Sequence, residues 1–228
     1  MLKDFLVPIN RAGWPFIGIA AGLTVLFLIV VPPLAWLGVL ATAFCTFFFR
    51  DPERIVPVRS GLVVSPADGL VSAVERAVPP ADVGMGTQSL TRISVFLSVF
   101  DVHINRVPAD GKIAALAYHK GKFLNAANDK ASEDNERQSV RLTLDDGRDI
   151  AFVQIAGLVA RRIVCDLQVG QTVRAGERFG LIRFGSRTDV YLPEGVAALV
   201  APGQRMIGGE TVIADLQSSE SLRPGEAR

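Results

Sequence analysis

Hydrophobic and polar positions divide the chain into two unlike stretches. From Ala12 to Phe49, 38 consecutive positions carry no charge. Two apolar runs, 16–31 (FIGIAAGLTVLFLIVV) and 34–49 (LAWLGVLATAFCTFFF), flank Pro32-Pro33. A helix needs about 20 apolar residues to cross about 30 Å of hydrocarbon, so this stretch is too long for one helix. The Pro-Pro step also interrupts helical hydrogen bonding at its midpoint. The pattern predicts a membrane-anchoring helical hairpin over residues 1–49, turning at the prolines. Each arm is short for a full crossing, which leaves tilt, local thinning of the bilayer and shallow insertion open. Lys3 and Arg11 precede the hairpin and Arg50, Arg54 and Arg59 follow it. Positive charge on both flanks places both ends on the cytoplasmic face of the cell membrane. A cleaved signal peptide has an apolar core of only about 7–15 residues before a small-x-small site, so length favours a retained anchor.

After residue 50 the pattern becomes a series of short β-branched runs: Gly61–Ser65, Leu70–Val74, Leu90–Val99, Lys112–Ala117, Ser139–Leu144, Asp149–Ile155, Val159–Leu167, Arg178–Phe184, Thr188–Leu192 and Thr211–Asp215. Gly, Pro and Asp clusters separate them, and Asp146-Gly147 is the clearest hairpin signal. No helical period is sustained. Asn125–Arg137 (NAANDKASEDNER) is almost wholly polar and reads as an exposed loop. The segment 217–228 reads as a fraying tail. Between the hairpin and the tail lies a mainly β domain, 50–216. Ser65-Pro66-Ala67-Asp68-Gly69 and the glycines of Val169–Ile182 resemble the strand corners of barrel-sandwich domains such as lipoyl and biotinyl carriers. There glycine supplies positive φ at tight corners. The expected fold class is therefore mainly β, a barrel-sandwich-like domain preceded by an N-terminal apolar hairpin.

Composition narrows the function classes. Hydrophobic residues make up 49% and the net charge is +1, which excludes disorder for most of the chain. Lys+Arg 24 against Asp+Glu 23 leaves no cationic excess to displace phosphate counterions, so no nucleic-acid partner is expected. Two cysteines are too few for a disulfide scaffold, and Cys45 and Cys165 read as free buried thiols in a reducing compartment. No metal is called for.

The candidate chemistry centres on Arg183-Phe184-Gly185-Ser186-Arg187-Thr188-Asp189. A Gly-Ser step between two strand-like runs is commonly a plain bulge. It has a second possibility. If the strands pin a sharp kink, Ser186 Oγ is forced against the carbonyl carbon of Gly185, since glycine neither blocks the approach nor resists the strained backbone. Attack shifts the acyl group from N to O. Elimination of the ester leaves dehydroalanine, which hydrolyses to a pyruvoyl group and ammonia.

Four blocks in order carry a wider resemblance: the apolar hairpin followed by Phe47-Phe48-Phe49-Arg50-Asp51-Pro52-Glu53-Arg54; Ser65–Gly69; Phe96-Leu97-Ser98-Val99-Phe100-Asp101-Val102-His103-Ile104-Asn105-Arg106-Val107-Pro108; and Phe184-Gly185-Ser186. Gly121–Ala126 is a further block. With this order and spacing the chain resembles the phosphatidylserine decarboxylases, in particular their short, membrane-anchored form. The resemblance spans nearly the whole chain.

That resemblance implies self-cleavage between Gly185 and Ser186, giving chains 1–185 and 186–228 that form a heterodimer. Ser186 would become the covalent pyruvoyl cofactor, and a phospholipid, phosphatidylserine, the substrate, made into phosphatidylethanolamine through a Schiff base. Asp68 matches the family's Asp in the Ser-Pro-x-Asp-Gly block, and Asp101 and His103 match its D-x-H block. Where the longer bacterial form has a second His, this chain has Arg106. Either His103 serves both maturation and decarboxylation, or His119 takes one role. A serine hydroxyl needs a base to become a nucleophile, and a carboxylate behind a histidine fixes its tautomer. His119 and Lys122 are candidate substrate contacts, and Arg50, Arg54, Lys120 and Arg161-Arg162 candidate cations for the head group. Two other readings stay open: a membrane-tethered barrel-sandwich carrier or adaptor, with Lys130 of Asp129-Lys130-Ala131 as its acceptor, and a pyruvoyl decarboxylase acting on another serine-bearing lipid.

Overall fold

The computed structural model describes residues 7–121, 135–157, 162–183 and 185–226. Lys122, Lys130, Arg161 and Phe184 lie outside these residues. The chain divides into two compact units, Met1–Glu53 and Arg54–Arg228.

In the first unit a 3-10 turn, Arg11–Gly13, leads into helix α1 (Trp14–Val30). Pro15 sits in the first turn of α1, where its missing N–H removes no helical bond. A second 3-10 turn, Pro32–Leu34, reverses the chain into α2 (Ala35–Phe48). The arms cross at small residues. A Cβ added to Gly38 would stand 2.5 Å from Thr24 Oγ1. At this crossing the Thr24 and Thr42 hydroxyls meet at 3.3 Å, while each also donates to a backbone carbonyl four residues back in its own helix. Close approach through small residues is how helices associate where the surroundings are as apolar as their side chains. Ile29, Trp36 and Leu40 are exposed. The helical stretch Arg11–Val30 is long and apolar enough to cross a membrane, and Pro32–Phe48 is a shorter apolar helix.

The second unit is built of antiparallel strands: β1 (Leu62–Val64), β2 (Gly69–Ala77), β3 (Leu90–Leu97), β4 (Ile104–Arg106), β5 (Gly111–His119), β6 (Arg137–Thr143), β7 (Asp149–Ala156), β8 (Ile163–Cys165), β9 (Thr172–Val173), β10 (Arg178–Ile182), β11 (Ser186–Tyr191), β12 (Arg205–Met206) and β13 (Val212–Asp215). An eight-stranded sheet runs β12-β2-β3-β11-β7-β6-β5-β9, a three-stranded sheet β4-β10-β8, and β1 pairs with β13. The mainly β, barrel-sandwich-like class expected from the sequence is the observed one. Inner-face residues Ile93, Val95, Phe152, Val140 and Val190 pack with Phe179 and Val63 into the main core.

Glycine explains two corners. Gly170 (φ 87°) and Gly176 (φ 79°) bracket the turn-rich segment around β9 in left-handed conformations, which side chains with a Cβ resist. A Cβ on Gly176 would also strike Val56 at 2.3 Å.

The structure corrects three sequence expectations. The polar stretch 125–137 is not exposed at its C-terminal end. Asn135 and Glu136 are buried, Asn135 Nδ2 donating to the Ala156 carbonyl at 2.7 Å and Glu136 Oε1 accepting from the Tyr118 hydroxyl at 2.9 Å. Polarity alone misleads where each polar atom finds a partner at a strand end. Arg54 is not an exposed cation. It pairs with Asp68 at 2.6 Å and its side chain is 14% exposed. Cys45 and Cys165 are free but half-buried rather than buried.

Candidate active site

β11 is a central strand. Its two edges pair with β3 and β7, and all six of its residues are buried. Ser186 opens it, opposite Leu97 on one side and Ala156 on the other. Because side chains alternate along a strand, Ser186 and Thr188 share the inner face with core residue Val190. Arg187, Asp189 and Tyr191 point the other way. Ser186 is wholly buried, and its Oγ has no hydrogen-bond partner among the described residues. Gly185 lies just before it at φ 62°. No atom beyond its chain neighbours would meet a Cβ there, so it is backbone conformation, not space, that favours glycine. A buried hydroxyl left without a partner costs stability, and a group of this kind in a native interior calls for an explanation such as a reacting position.

His103 immediately precedes β4 of the three-stranded sheet. The Leu181–Ile104 pair of the β10–β4 ladder is followed by a bond of 3.4 Å from Ile182 N–H to the His103 carbonyl. The chain then needs only residues 183–185 to reach Ser186, a reach of at most about 14 Å. His103 is 2% exposed, and its Nδ1 lies 2.9 Å from the backbone carbonyl of Asp101. A carbonyl only accepts, so Nδ1 carries a proton and, in the neutral ring, Nε2 is the basic nitrogen. The tautomer is thus set by a carbonyl, not by the carboxylate expected from the sequence. The Asp101 carboxylate is engaged elsewhere: Oδ2 accepts the Ser98 N–H at 2.8 Å and Oδ1 meets Arg205.

Asp68 immediately precedes β2. Its Oδ2 takes Arg54 at 2.6 Å and its Oδ1 the Gly208 N–H at 2.8 Å. Leu70 pairs with Phe96, and Phe96 with Arg187. Asp68 and Ser186 therefore stand at the same end of the sheet, two strand spacings or about 10 Å apart. His119 is brought elsewhere. It pairs with Arg137, which pairs with Ile155, which pairs with Arg187. That row lies on the face opposite Ser186, and His119, three strand spacings from β11, is exposed.

The residues matched by a protein-family model complete the picture. The model for phosphatidylserine decarboxylase matches residues 41–214. A phosphatidylserine decarboxylase proenzyme of Paramagnetospirillum magneticum is 62% identical over all of this chain and 95% of its own length. The proenzyme of Cereibacter sphaeroides is 60% identical over all of this chain and 98% of its own. That of Ruegeria pomeroyi is 61% identical over 95% of this chain and 99% of its own. The chain belongs to the phosphatidylserine decarboxylase family. Arg106 is buried and donates Nη1 to the Gly176 carbonyl at 2.9 Å.

Two polar features of the site were not singled out from the sequence. On the inner face Gln154, Asn105 and Thr188 are buried to 0–1% exposure. On the outer face Arg187 and Asp189 form a pair at 2.9 Å between Nε and Oδ1, with Arg92 Nη1 at 3.9 Å from Oδ2. Burial pulls the Arg92 guanidinium down in pKa, but Asp189, Tyr191 and Glu75 together more than offset this and it ends raised. Burial, followed by Asp189, raises the Tyr191 phenol. The signal was present: β11 reads S-R-T-D-V-Y, a strand polar on both faces, and only a central covered strand needs both faces satisfied. Beside the site, burial and the neighbouring Arg162 lower the Arg183 pKa.

Proposed function

We propose that this protein converts phosphatidylserine to phosphatidylethanolamine at a membrane surface, with a pyruvoyl group that it makes from its own Ser186. The observation that carries the reading is a wholly buried serine, its Oγ without a partner among the described residues, directly after a glycine at positive φ. It sits in a chain about 60% identical, end to end, to proenzymes named for this reaction.

The chemistry of maturation balances with the chain and one water molecule, which supplies the ketone oxygen. His103 Nε2 takes the Ser186 hydroxyl proton. Oγ bonds to the Gly185 carbonyl carbon, the C–N bond breaks, and residue 186 is left with a free amine and an ester. Loss of its α-proton expels Gly185 as a carboxylate. The resulting enamine hydrolyses to a ketone and ammonia. Asp101 holds the loop that carries His103, through Ser98 and Arg205. Asp68, at the same end of the sheet, is held by Arg54 and the Gly208 N–H.

The ketone supplies one thing that side chains lack: it condenses with a primary amine and accepts the electron pair released as CO2 departs. The residues around it do the rest. Burial between two sheets keeps water from the reacting carbon. His103, protonated at Nε2, returns a proton to that carbon.

Cleavage need not part the two products. Strands β11, β12 and β13 belong to 186–228, and they pair with β3 and β7, with β2 and with β1. Purified protein should therefore elute as one species and separate under denaturation into 1–185 and 186–228. Intact mass should show the smaller chain without an N-terminal amine, and the material should decarboxylate phosphatidylserine. A single uncut chain in active material rejects the mechanism.

The apolar hairpin fits the substrate. Each CH2 of an acyl chain costs about 0.8 kcal/mol to move into water, so an enzyme acting on the head group gains by residing at the bilayer. Arg11 and Arg50 flank the two helices and favour the cytoplasmic side. Removing residues 1–53 is expected to shift the protein from the vesicle pellet to the supernatant in a sedimentation assay. Retention in the pellet would assign membrane binding to the β unit.

A further inference from the structure

A buried amide pair lies between the two sheets. Gln154, on β7, donates its Nε2 to Asn105 Oδ1 at 2.8 Å and to the Val164 carbonyl at 3.2 Å. These bonds fix both amides. A backbone carbonyl can only accept, so the Gln154 atom facing Val164 is nitrogen. The Asn105 atom facing that nitrogen must then be oxygen. Two groups remain: Asn105 Nδ2, a donor, and Gln154 Oε1, an acceptor. Both are buried, and neither has a partner among the described residues. Thr188 Oγ1, on the strand position that pairs with Gln154, is in the same condition. Counting Ser186 Oγ, four buried polar groups of this region have no partner among the described residues, and each costs stability.

Their positions match a ligand. Thr188 and Gln154 form the row one pair of residues along β11 from Ser186, about 6.6 Å away. Asn105 lies in β4, two residues after His103. In an α-amino acid head group the carboxylate oxygens stand roughly 3 Å from the amine nitrogen, and a hydrogen bond adds roughly 3 Å more. A group that holds the carboxylate while the amine meets residue 186 therefore belongs about 6 Å from it, and Asn105, bonded to Gln154 of this row, adjoins that place.

We infer that Asn105 and Gln154 read the α-amino-carboxylate of the substrate's serine head group, Asn105 Nδ2 donating to the carboxylate and Gln154 Oε1 accepting from the amine. The inference rests on the function proposed above and names the recognition element of that site. A neutral donor suits this task. A guanidinium would favour the charged carboxylate before reaction more than the CO2 that leaves, and binding that is lost in the transition state slows the chemical step. Val164 and β8 hold the pair rigid, so its groups need no reordering when substrate arrives.

The test compares two lipids that both carry an amine. Protein in detergent is offered phosphatidylserine or phosphatidylethanolamine with cyanoborohydride, and all amine-linked product on the 186–228 chain is counted by mass. For Asn105→Leu, which keeps the volume and removes the donor, adduct formation from phosphatidylserine is expected to fall about 10- to 100-fold, the range of one hydrogen bond to a charged group. Formation from phosphatidylethanolamine should stay within about twofold, and self-cleavage should be complete. Asn105→Ala, whose cavity admits water, gives the same ratio should the leucine variant fail to fold. Equal loss for both lipids, no loss for either, or a failure of cleavage in a folded variant overturns the inference. Parent protein that stays uncut and forms no adduct would instead overturn the proposed function, leaving the two failures distinct.

Discussion

Ser186→Ala is expected to give a single uncut chain with decarboxylation below detection. Alanine has no oxygen to attack the Gly185 carbonyl, so no ester forms, nothing is eliminated and no ketone appears. The loss is complete rather than graded, because one residue supplies both the attacking oxygen and the carbons that become the ketone, and without that oxygen there is no ester to eliminate. Folding should be spared. Residue 186 keeps its backbone pairing with Leu97 and Ala156, and removing a hydroxyl that has no hydrogen-bond partner among the described residues relieves a burial cost of about 1–3 kcal/mol. The thermal midpoint of the uncut chain should thus equal or exceed that of the parent. Electrophoresis and intact mass measure the first outcome and calorimetry the second. A Ser186→Ala protein that still releases CO2 from phosphatidylserine ends the proposal, since the electron sink would have to be another group. Ser186→Thr keeps the hydroxyl but adds a methyl where the parent side chain is wholly buried, and should cleave more slowly without abolishing the two-chain product.

Asp189→Leu is expected to produce the largest loss of stability. Asp189 is 0% and Arg187 2% exposed, and two contacts of 2.9 and 3.0 Å join them. Removing the carboxylate leaves the Arg187 guanidinium buried without that partner and deprives Arg92 of an anion. Breaking a buried pair from one side costs about 3–5 kcal/mol. In a unit of this size that lowers the thermal midpoint by about 10 °C. Replacing both members, Arg187→Met with Asp189→Leu, should recover most of it, because neither charge then has to be desolvated. The measurement is best made in the Ser186→Ala chain, where cleavage does not change the reference state. A single variant within about 1 kcal/mol of its parent would mean that Arg187 finds another anion and that the pair does not hold this strand. The position gives the pair a second consequence. It lies on the residues directly after the bond proposed to be cut, on the face away from Ser186. There it resists slippage of a strand that acquires a free end, since a one-residue slip would drive a charge into the apolar inner face.

The sequence by itself determined the hairpin and most of the strands, and it singled out the Gly185-Ser186 bond that is proposed above to react. Thirty-eight uncharged positions split by Pro32-Pro33 admit few structures, because a backbone that cannot bond to water must bond to itself. Alternating β-branched runs with Asp146-Gly147 between two of them fix adjacent hairpins for the same local reason. Three short strands were not legible. Ile104–Arg106, Thr172–Val173 and Arg205–Met206 are too short to show a period, and they exist because distant edges needed partners.

What only the tertiary structure decided was the company of Ser186. It placed His119 on the opposite face, set the tautomer of His103 with the Asp101 carbonyl, and engaged Asp68 with Arg54 and the Gly208 N–H. It also joined Gln154 to Asn105, 49 positions apart in the chain. Local preference acts over a few residues. Which polar atoms meet in an interior is set by strand order and register, where each buried donor must find its acceptor through space.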